Sequence, residues 1–141
     1  MAAYTIDIER KGRDGLLEFR SGSVKVSTRC WWDPGMIIDA KPGGYTGIST
    51  TMATKTDSVT GEPRPAIWFG KGVSYNGGAR RGDGAFIHEG TGASWSDGCV
   101  VIARIEMMRL IEAIKPKGQY NVTINITDAR SSGGTPRKPV A

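Results

Sequence analysis

Two residues in one short segment, His88 and Cys99, have the side chains from which a covalent catalyst can be built. The segment, residues 87–102, reads IHEGTGASWSDGCVVI. A thiol becomes a nucleophile near neutral pH when a base takes its proton, and imidazole has the side-chain pKa that best suits this work. His88 is the only histidine, and Cys99 is one of two cysteines. A thiol enzyme with a histidine base must therefore pair His88 with Cys99 or, as the weaker alternative, with Cys30.

The residues around Cys99 suit acyl transfer. His88 ends a predicted strand and Cys99 follows a glycine-rich loop, so the loop can fold back and bring imidazole and thiol to hydrogen-bond distance. Gly98 permits a tight bend, and the amides of Gly98 and Cys99 can point at a developing oxyanion. The competing interpretation is a histidine with satisfied hydrogen bonds and a buried, inert cysteine. Cys30 ends another predicted strand and is expected to be a core residue, with a disulfide to Cys99 as the alternative.

The elements that must position these residues are mostly short strands. Alternating polar and apolar residues, and short apolar runs between turn residues, are typical of strands. They predict strands at residues 4–9, 16–20, 24–28, 66–69, 84–88 and 120–127. We expect the first three to be consecutive antiparallel strands and residues 70–83 to be a flexible hairpin. Residues 31–65, rich in threonine, serine, glycine and proline, are expected to be loops with short strands.

One amphipathic helix is predicted after the cysteine. Apolar residues recur at helical spacing from Ala103 to Ile114, with charged residues at other angles, and Pro116 and Gly118 end the pattern. The predicted fold class is therefore mainly β with one main helix (α+β). The length of 141 residues suits one domain, which we place at residues 1–127, followed by a loosely held tail at 128–141.

The charge favours anionic partners in general. Lysine and arginine exceed aspartate and glutamate by 19 − 14 = 5, which favours contact with nucleic acid, an acidic membrane surface or an anionic cell-wall polymer. The basic residues are spread along the chain, so we expect no nucleic-acid partner. No apolar run has the length of a membrane span, so we expect no membrane insertion. The cysteine and histidine content predicts neither a metal site nor a cofactor.

The sequence SDGCV at residues 96–100 resembles the Ser/Thr-His-Gly-Cys-apolar signature of the L,D-transpeptidase catalytic domain, or YkuD-like, family. In that family a histidine on a strand precedes the cysteine, a helix follows it, and an earlier Thr-Pro-x-Gly-aromatic segment ends a strand. In this chain His88 and the predicted helix take these places, and KPGGY at residues 41–45 resembles the earlier segment. Asp97 replaces a second histidine of the family and Val101 replaces an arginine, which leaves His88 as the sole base.

The resemblance implies an L,D-transpeptidase-like β-sandwich and a cysteine acyltransferase or peptidase. Its substrate would be a peptidoglycan stem peptide, attacked at meso-diaminopimelate, with L,D-carboxypeptidase, exchange and transpeptidase reactions all open. Cys99 would be the nucleophile and His88 its base, and the amides of Gly98 and Cys99 would stabilise the oxyanion.

The neighbouring residues have secondary roles in this interpretation. Asp97 would orient the histidine or pair with a substrate amine, with a turn residue as the alternative. The candidate substrate contacts are Ser96, Trp95 and Tyr45. For Ser96 and Trp95, a role in holding the loop is the alternative.

The first eight residues alternate in polarity, which predicts a strand and not a secretion signal. We therefore expect synthesis in the cytoplasm and action in the periplasm or cell wall after delivery or lysis. An antibacterial effector delivered by a secretion machine, or a phage lytic factor, would fit this expectation. An effector implies an immunity protein or a secretion component as a partner. The alternative is a non-enzymatic binding module of a phage or secretion apparatus that uses the basic surface.

Overall fold

The computed structural model describes residues 3–11, 14–33, 35–70, 72–92, 95 and 98–128. These residues form ten strands and one helix. In chain order they are β1 (Tyr4–Lys11), β2 (Asp14–Ser21), β3 (Val24–Trp32), β4 (Tyr45–Thr56), β5 (Pro63–Phe69), β6 (Val73–Tyr75), β7 (Arg80–Gly82), β8 (Ala85–Glu89), β9 (Val100–Ile102), α1 (Arg104–Ala113) and β10 (Val122–Asp128).

Eight of the strands close into a barrel. Their order is β1-β10-β4-β5-β8-β9-β3-β2, and β2 returns to β1. Neighbouring strands are antiparallel except for the pairs β1–β10 and β8–β9, which are parallel. The prediction of a strand-rich fold with one helix is confirmed. The finer expectation of an L,D-transpeptidase-like β-sandwich is not confirmed by this topology, because the pairing forms a closed barrel.

The barrel interior is filled by the apolar residues that alternate along the strands. This alternation places every second side chain on the same side of the sheet. The buried core includes Ile6, Ile8, Leu17, Phe19, Val26, Ile67, Phe69, Ile87 and Ile124. Met107, Leu110 and Ile114, on or directly after α1, belong to the same cluster, so the apolar side of the helix completes this core.

Most of the predicted elements are present, including the three opening strands and the hairpin formed by β6 and β7. The expectation of only short strands within residues 31–65 is wrong, because β4 runs for twelve residues from Tyr45 to Thr56. Its composition, rich in threonine, suggests a loop. The β-branched threonine side chain nevertheless favours an extended backbone, and Tyr45, Gly47 and Ser49 alternate as buried positions.

The last strand extends into the predicted tail. Asp128 is the final residue of β10, and its carboxylate accepts hydrogen bonds from Arg10 at 2.8 and 3.1 Å. The remaining tail, residues 129–141, lies outside the described residues. None of the helices in the described part of the chain is both long and apolar enough to span a membrane.

Candidate active site

The neighbouring parallel strands β8 and β9 bring His88 and Cys99 to one side of the sheet. Their register places His88 beside Val101 and Ile87 beside Val100. Cys99 directly precedes β9 and lies two residues before Val101, so strand alternation puts its side chain on the same side as that of His88. The histidine is therefore near the end of one strand and the cysteine directly precedes the neighbouring strand, while the hydrogen bond between imidazole and thiol stays a prediction.

Both side chains line one cleft of about 550 Å³. The cleft lies on the outer side of strands β4, β5 and β8, because Trp68 and Phe86 are paired there while Ile67 and Ile87 are in the core. The lining residues described are Met52, Lys55, Arg64, Gly84, Phe86, His88, Trp95 and Cys99. A base and a thiol thus share a recess with aromatic and cationic side chains.

The hydrogen bond of His88 fixes its tautomer. Its Nδ1 lies 2.7 Å from the carbonyl oxygen of Glu89. A carbonyl oxygen only accepts, so the neutral imidazole carries its proton on Nδ1 and donates it to Glu89. The lone pair is then on Nε2, and this nitrogen is the one able to accept a proton from a thiol.

The surroundings of His88 keep its imidazole neutral at physiological pH. Burial lowers its pKa below the ordinary value of 6.5, and the nearby charges of Arg64 and Lys55 lower it further. The hydrogen bond to the Glu89 carbonyl and the Glu89 charge act in the opposite direction but do not outweigh burial. A neutral imidazole is the form that a general base requires.

The predicted bend at Gly98 is present. Its backbone has φ +84°, in the left-handed region that glycine adopts at low cost. The Tyr75 hydroxyl donates a hydrogen bond of 3.0 Å to the Gly98 carbonyl oxygen, and Tyr75 itself is buried. In a trans peptide the carbonyl and the following N–H point in opposite directions. Tyr75 therefore fixes the orientation of the Cys99 N–H as well.

Arg64 and Lys55 line the cleft, and the sequence patterns did not single out either residue. Arg64 Nε donates to the Thr56 carbonyl at 3.0 Å, and the guanidinium lies 5.3 Å from the centre of the Trp95 ring. No described residue accepts a hydrogen bond from the two terminal nitrogens of Arg64. Lys55 makes no hydrogen bond or ion pair within the described part of the chain.

An ionic cluster with buried carboxylates lies beside the site. The Glu89 carboxylate accepts hydrogen bonds from the Ser58 N–H at 2.8 Å and the Ser58 hydroxyl at 2.7 Å. Arg64 and Arg104 each place Nε 3.8 Å from it. Arg104 also donates two hydrogen bonds of 2.9 Å to Asp57. The cluster connects the loop after β4, the end of β8 and the start of α1.

The other predicted site residues are placed differently. Trp95 lines the cleft and is 36% exposed, which does not fit the alternative of a buried loop anchor. Tyr45 does not line it, because this residue is buried in the core with its ring against Phe69. Ser96 and Asp97 lie outside the described residues.

The two cysteines differ in environment. Cys30 is buried in β3, and burial raises its pKa to about 12, which disfavours the thiolate. It is therefore a core thiol, as the sequence predicts. Cys99 is partly exposed in the cleft. Neither cysteine is in a disulfide, so the alternative of a disulfide between them does not hold in this structure.

No group of three or more histidine, cysteine, aspartate or glutamate side chains suited to a metal ion occurs among the residues described. In comparisons with known proteins, the chain matches no family model, and it has no significant match to a curated protein or a solved structure. The function is therefore argued from the geometry of the cleft.

Proposed function

We propose that the protein is a cysteine acyltransferase or peptidase that acts on peptidoglycan stem peptides, with Cys99 as nucleophile and His88 as base. The observation that carries the proposal is the His88 imidazole, whose Nδ1 proton is held by the Glu89 carbonyl, in one cleft with a partly exposed thiol. A base oriented by a third group is the arrangement by which enzymes activate a thiol.

The reaction proceeds in two steps. His88 Nε2 accepts the thiol proton as the Cys99 sulfur attacks the substrate carbonyl carbon. A carbon–sulfur bond forms, and the carbon–nitrogen bond then breaks as His88 returns the proton to the leaving amine. In the second step water or an amine attacks the thioester and gives a proton to His88. The carbon–sulfur bond breaks, and Cys99 recovers that proton.

The oxyanion of each tetrahedral intermediate requires fixed donors. We assign this role to the backbone N–H groups of Gly98 and Cys99. The Cys99 N–H belongs to the peptide unit whose carbonyl is held by Tyr75. Asp97 remains proposed as a group that orients the histidine or pairs with a substrate amine. Trp95 is proposed to contact the substrate at the exposed edge of the cleft.

The proposed substrate rests on the resemblance of residues 96–100 to the L,D-transpeptidase signature, with His88 upstream and α1 after the cysteine. In this proposal the barrel is a divergent form of the β-sandwich of that family. The choice between hydrolysis and transfer depends on whether water or an amine reaches the thioester.

Mass analysis of purified muropeptides after incubation with the protein tests the proposal. Loss of a terminal residue would indicate carboxypeptidase action, and a gain in mass would indicate exchange or crosslinking. We expect Cys99→Ala to abolish the change and His88→Asn to reduce it by at least about a hundredfold, since general-base catalysis contributes on this order. Asn is chosen because its side chain keeps an N–H group that can donate to the Glu89 carbonyl. Unchanged muropeptides with the wild-type protein would refute the enzymatic function for these substrates.

Thiol reactivity separates an enzyme from the non-enzymatic binding module. Rapid alkylation of Cys99 near neutral pH that is lost in His88→Asn supports a catalytic pair. Slow alkylation that is the same in both proteins supports the binding module. Mass analysis of the modified peptide distinguishes Cys99 from the buried Cys30.

We extend the proposal to an antibacterial effector or a phage lytic factor that acts in the periplasm or cell wall. Expression of the chain with an added periplasmic export signal is expected to lyse bacteria, whereas Cys99→Ala with the same signal is expected to be harmless. Equal toxicity of the two proteins would contradict a wall-degrading role.

A further inference from the structure

We propose that Lys55 and Arg64 form a subsite that binds a carboxylate of the peptide substrate beside Cys99. The inference rests on the proposed peptidase or acyltransferase function and deepens it by assigning a charge to the substrate. Both cations line the cleft that contains Cys99 and His88, and the described lining includes no acidic side chain.

Arg64 is held in place and still has donors to offer. Its side chain is only 13% exposed, its Nε is engaged by the Thr56 carbonyl, and its guanidinium lies over the Trp95 ring. These contacts leave its two terminal nitrogens without an acceptor in the described residues. A guanidinium fixed in this way presents two parallel N–H groups, which match the two oxygens of a carboxylate.

Lys55 adds a second, adaptable positive charge. It is exposed on β4 and lines the same cleft, and no described carboxylate pairs with it. The ammonium on its flexible side chain can follow a bound anion. Glu89 partly balances Arg64 from 3.8 Å, but this carboxylate does not line the cleft and accepts two hydrogen bonds from Ser58. An anion in the cleft would therefore contact two cations that have hydrogen-bond donors available.

The bound carboxylate has two sources in a stem peptide. It is either the terminal carboxylate of the residue that leaves or the side-chain carboxylate of the residue that supplies the acyl group. Both carboxylates are recognised by the same cationic donors. The first is on the residue that holds the leaving nitrogen, and the second is at the far end of the diaminopimelate side chain. The first source would favour removal of a terminal amino acid.

Alkylation with two nearly isosteric reagents tests the subsite without a cell-wall substrate. Iodoacetate carries a carboxylate where iodoacetamide carries a neutral amide. We expect the ratio of their rates at Cys99, iodoacetate over iodoacetamide, to fall about tenfold in Arg64→Gln and about threefold in Lys55→Gln, because each change removes a charged partner of the anion. Lys55 is exposed, so the second variant keeps the test valid if Arg64→Gln folds poorly.

A matched control keeps the net charge equal. Lys55→Gln/Arg64→Gln and Arg20→Gln/Lys25→Gln both remove two positive charges, but Arg20 and Lys25 are exposed partners on β2 and β3 and do not line the cleft. Only the first pair is expected to change the ratio. An equal change in both double variants would indicate general electrostatic attraction, and no change in either would also overturn the subsite.

Two amidated stem peptides identify the source of the carboxylate. We expect kcat/KM to fall about tenfold when the recognised carboxylate is converted to an amide, and this loss should be small in Lys55→Gln/Arg64→Gln. Loss with the terminal amide identifies the leaving residue, and loss with the side-chain amide identifies the acyl donor. Turnover that neither amidation weakens refutes the subsite but leaves the peptidase function intact. Absence of turnover with a charge-dependent alkylation ratio refutes the peptidase function instead.

Discussion

The single histidine of the chain makes its protonation directly measurable. We expect the NMR signal of the His88 ring to titrate with a pKa below 6.5, mainly because the imidazole is buried. Lys55→Gln should raise this pKa, since the lysine charge opposes protonation of the ring. The titration is best made in Cys99→Ala, which removes coupling between the thiol and the imidazole. A pKa above 6.5 in that variant would contradict the described environment of the ring.

The lowered pKa of His88 also determines where activity is lost at acid pH. A general base works in its deprotonated form, so kcat/KM should fall only when the pH drops below the ordinary histidine range. Removal of the Lys55 charge should move this limb to higher pH, in parallel with the NMR titration. Measurement of kcat/KM from pH 4 to 8, as a range of about four units around the ordinary histidine pKa, would show whether the two shifts agree.

Gly98 combines a backbone constraint with a close contact. A Cβ at this position would lie 3.1 Å from the Tyr75 hydroxyl oxygen and 3.2 Å from Met36 Cε, and the φ of +84° disfavours any other residue. We expect Gly98→Ala to destabilise the protein by about 2 kcal/mol. Gly43 also has a positive φ, +82°, but there is open space around the added Cβ, so Gly43→Ala is the matched control. We expect it to lower the free energy of unfolding by about 1 kcal/mol. Equal losses in urea unfolding would mean that the contact with Tyr75 has no effect.

The β6–β7 hairpin contacts the site through the Tyr75 hydroxyl group. Tyr75 ends β6 and donates to the Gly98 carbonyl, so Tyr75→Phe would free the peptide plane that contains the Cys99 N–H. We expect kcat to fall about tenfold with KM nearly unchanged, because the loss concerns an oxyanion donor and not substrate binding.

Tyr4→Phe provides the control for this hairpin contact. The Tyr4 hydroxyl also donates to a backbone carbonyl, that of Lys115, but neither residue lines the cleft. Its loss should reduce stability slightly and leave kcat unchanged. A similar fall in kcat in both variants would assign the effect to general loosening, and an unchanged kcat in Tyr75→Phe would show that the hairpin does not orient the site.

Sequence patterns predict the nucleophile and the base of the site, because these two residues are close together in the chain. His88 and Cys99 are eleven positions apart, and polarity and glycines alone assign a strand that ends at His88 and a loop that leads to Cys99. Arg64 and Lys55 come from β5 and β4. Their positions near His88 depend on the pairing of β5 with β8 and of β4 with β5. Short-range patterns do not encode such pairing, and the composition of the threonine-rich β4 itself favours a loop. The cationic side of the cleft is therefore missed by sequence patterns, while the nucleophile and base are found.

The order of the strands in the closed barrel cannot be inferred from the sequence, for a related reason. Each strand is visible as a polarity pattern, and the opening hairpins follow from short turns. The parallel pairs β1–β10 and β8–β9 join segments with long intervening chain or an irregular loop. Their partners are selected by burial of the whole core, in which α1 supplies Met107 and Leu110. The sequence therefore predicts the content of the fold better than its closure.

The ionic cluster beside the cleft should govern the response of the whole molecule to acid. Hydrogen bonds from Arg104, followed by those from the Val59 and Thr60 amides, hold the pKa of Asp57 well below its ordinary value of 3.8. A carboxylate with a lowered pKa in the folded state stabilises that state above its unfolded pKa, and this contribution is lost as the pH falls. Because Asp57 and Arg104 connect the loop after β4 to the first residue of α1, its protonation should weaken helix docking.

Asp57→Asn isolates this contribution. We expect Tm at pH 7 to fall by about 5 to 10 °C, since the variant leaves Arg104 and Glu89 in a cluster that has lost one negative charge. The Tm of the variant should also depend less on pH between about 5 and 3, because the titrating carboxylate is gone. Asp14→Asn is the control: it breaks the Asp14–Arg29 ion pair, in which the arginine side chain is 65% exposed, and should change Tm by no more than about 2 °C. If Asp57→Asn retained the full acid sensitivity of the wild-type protein, other carboxylates would have to account for it, and the connection between β4 and α1 would not be the acid-sensitive part of the fold.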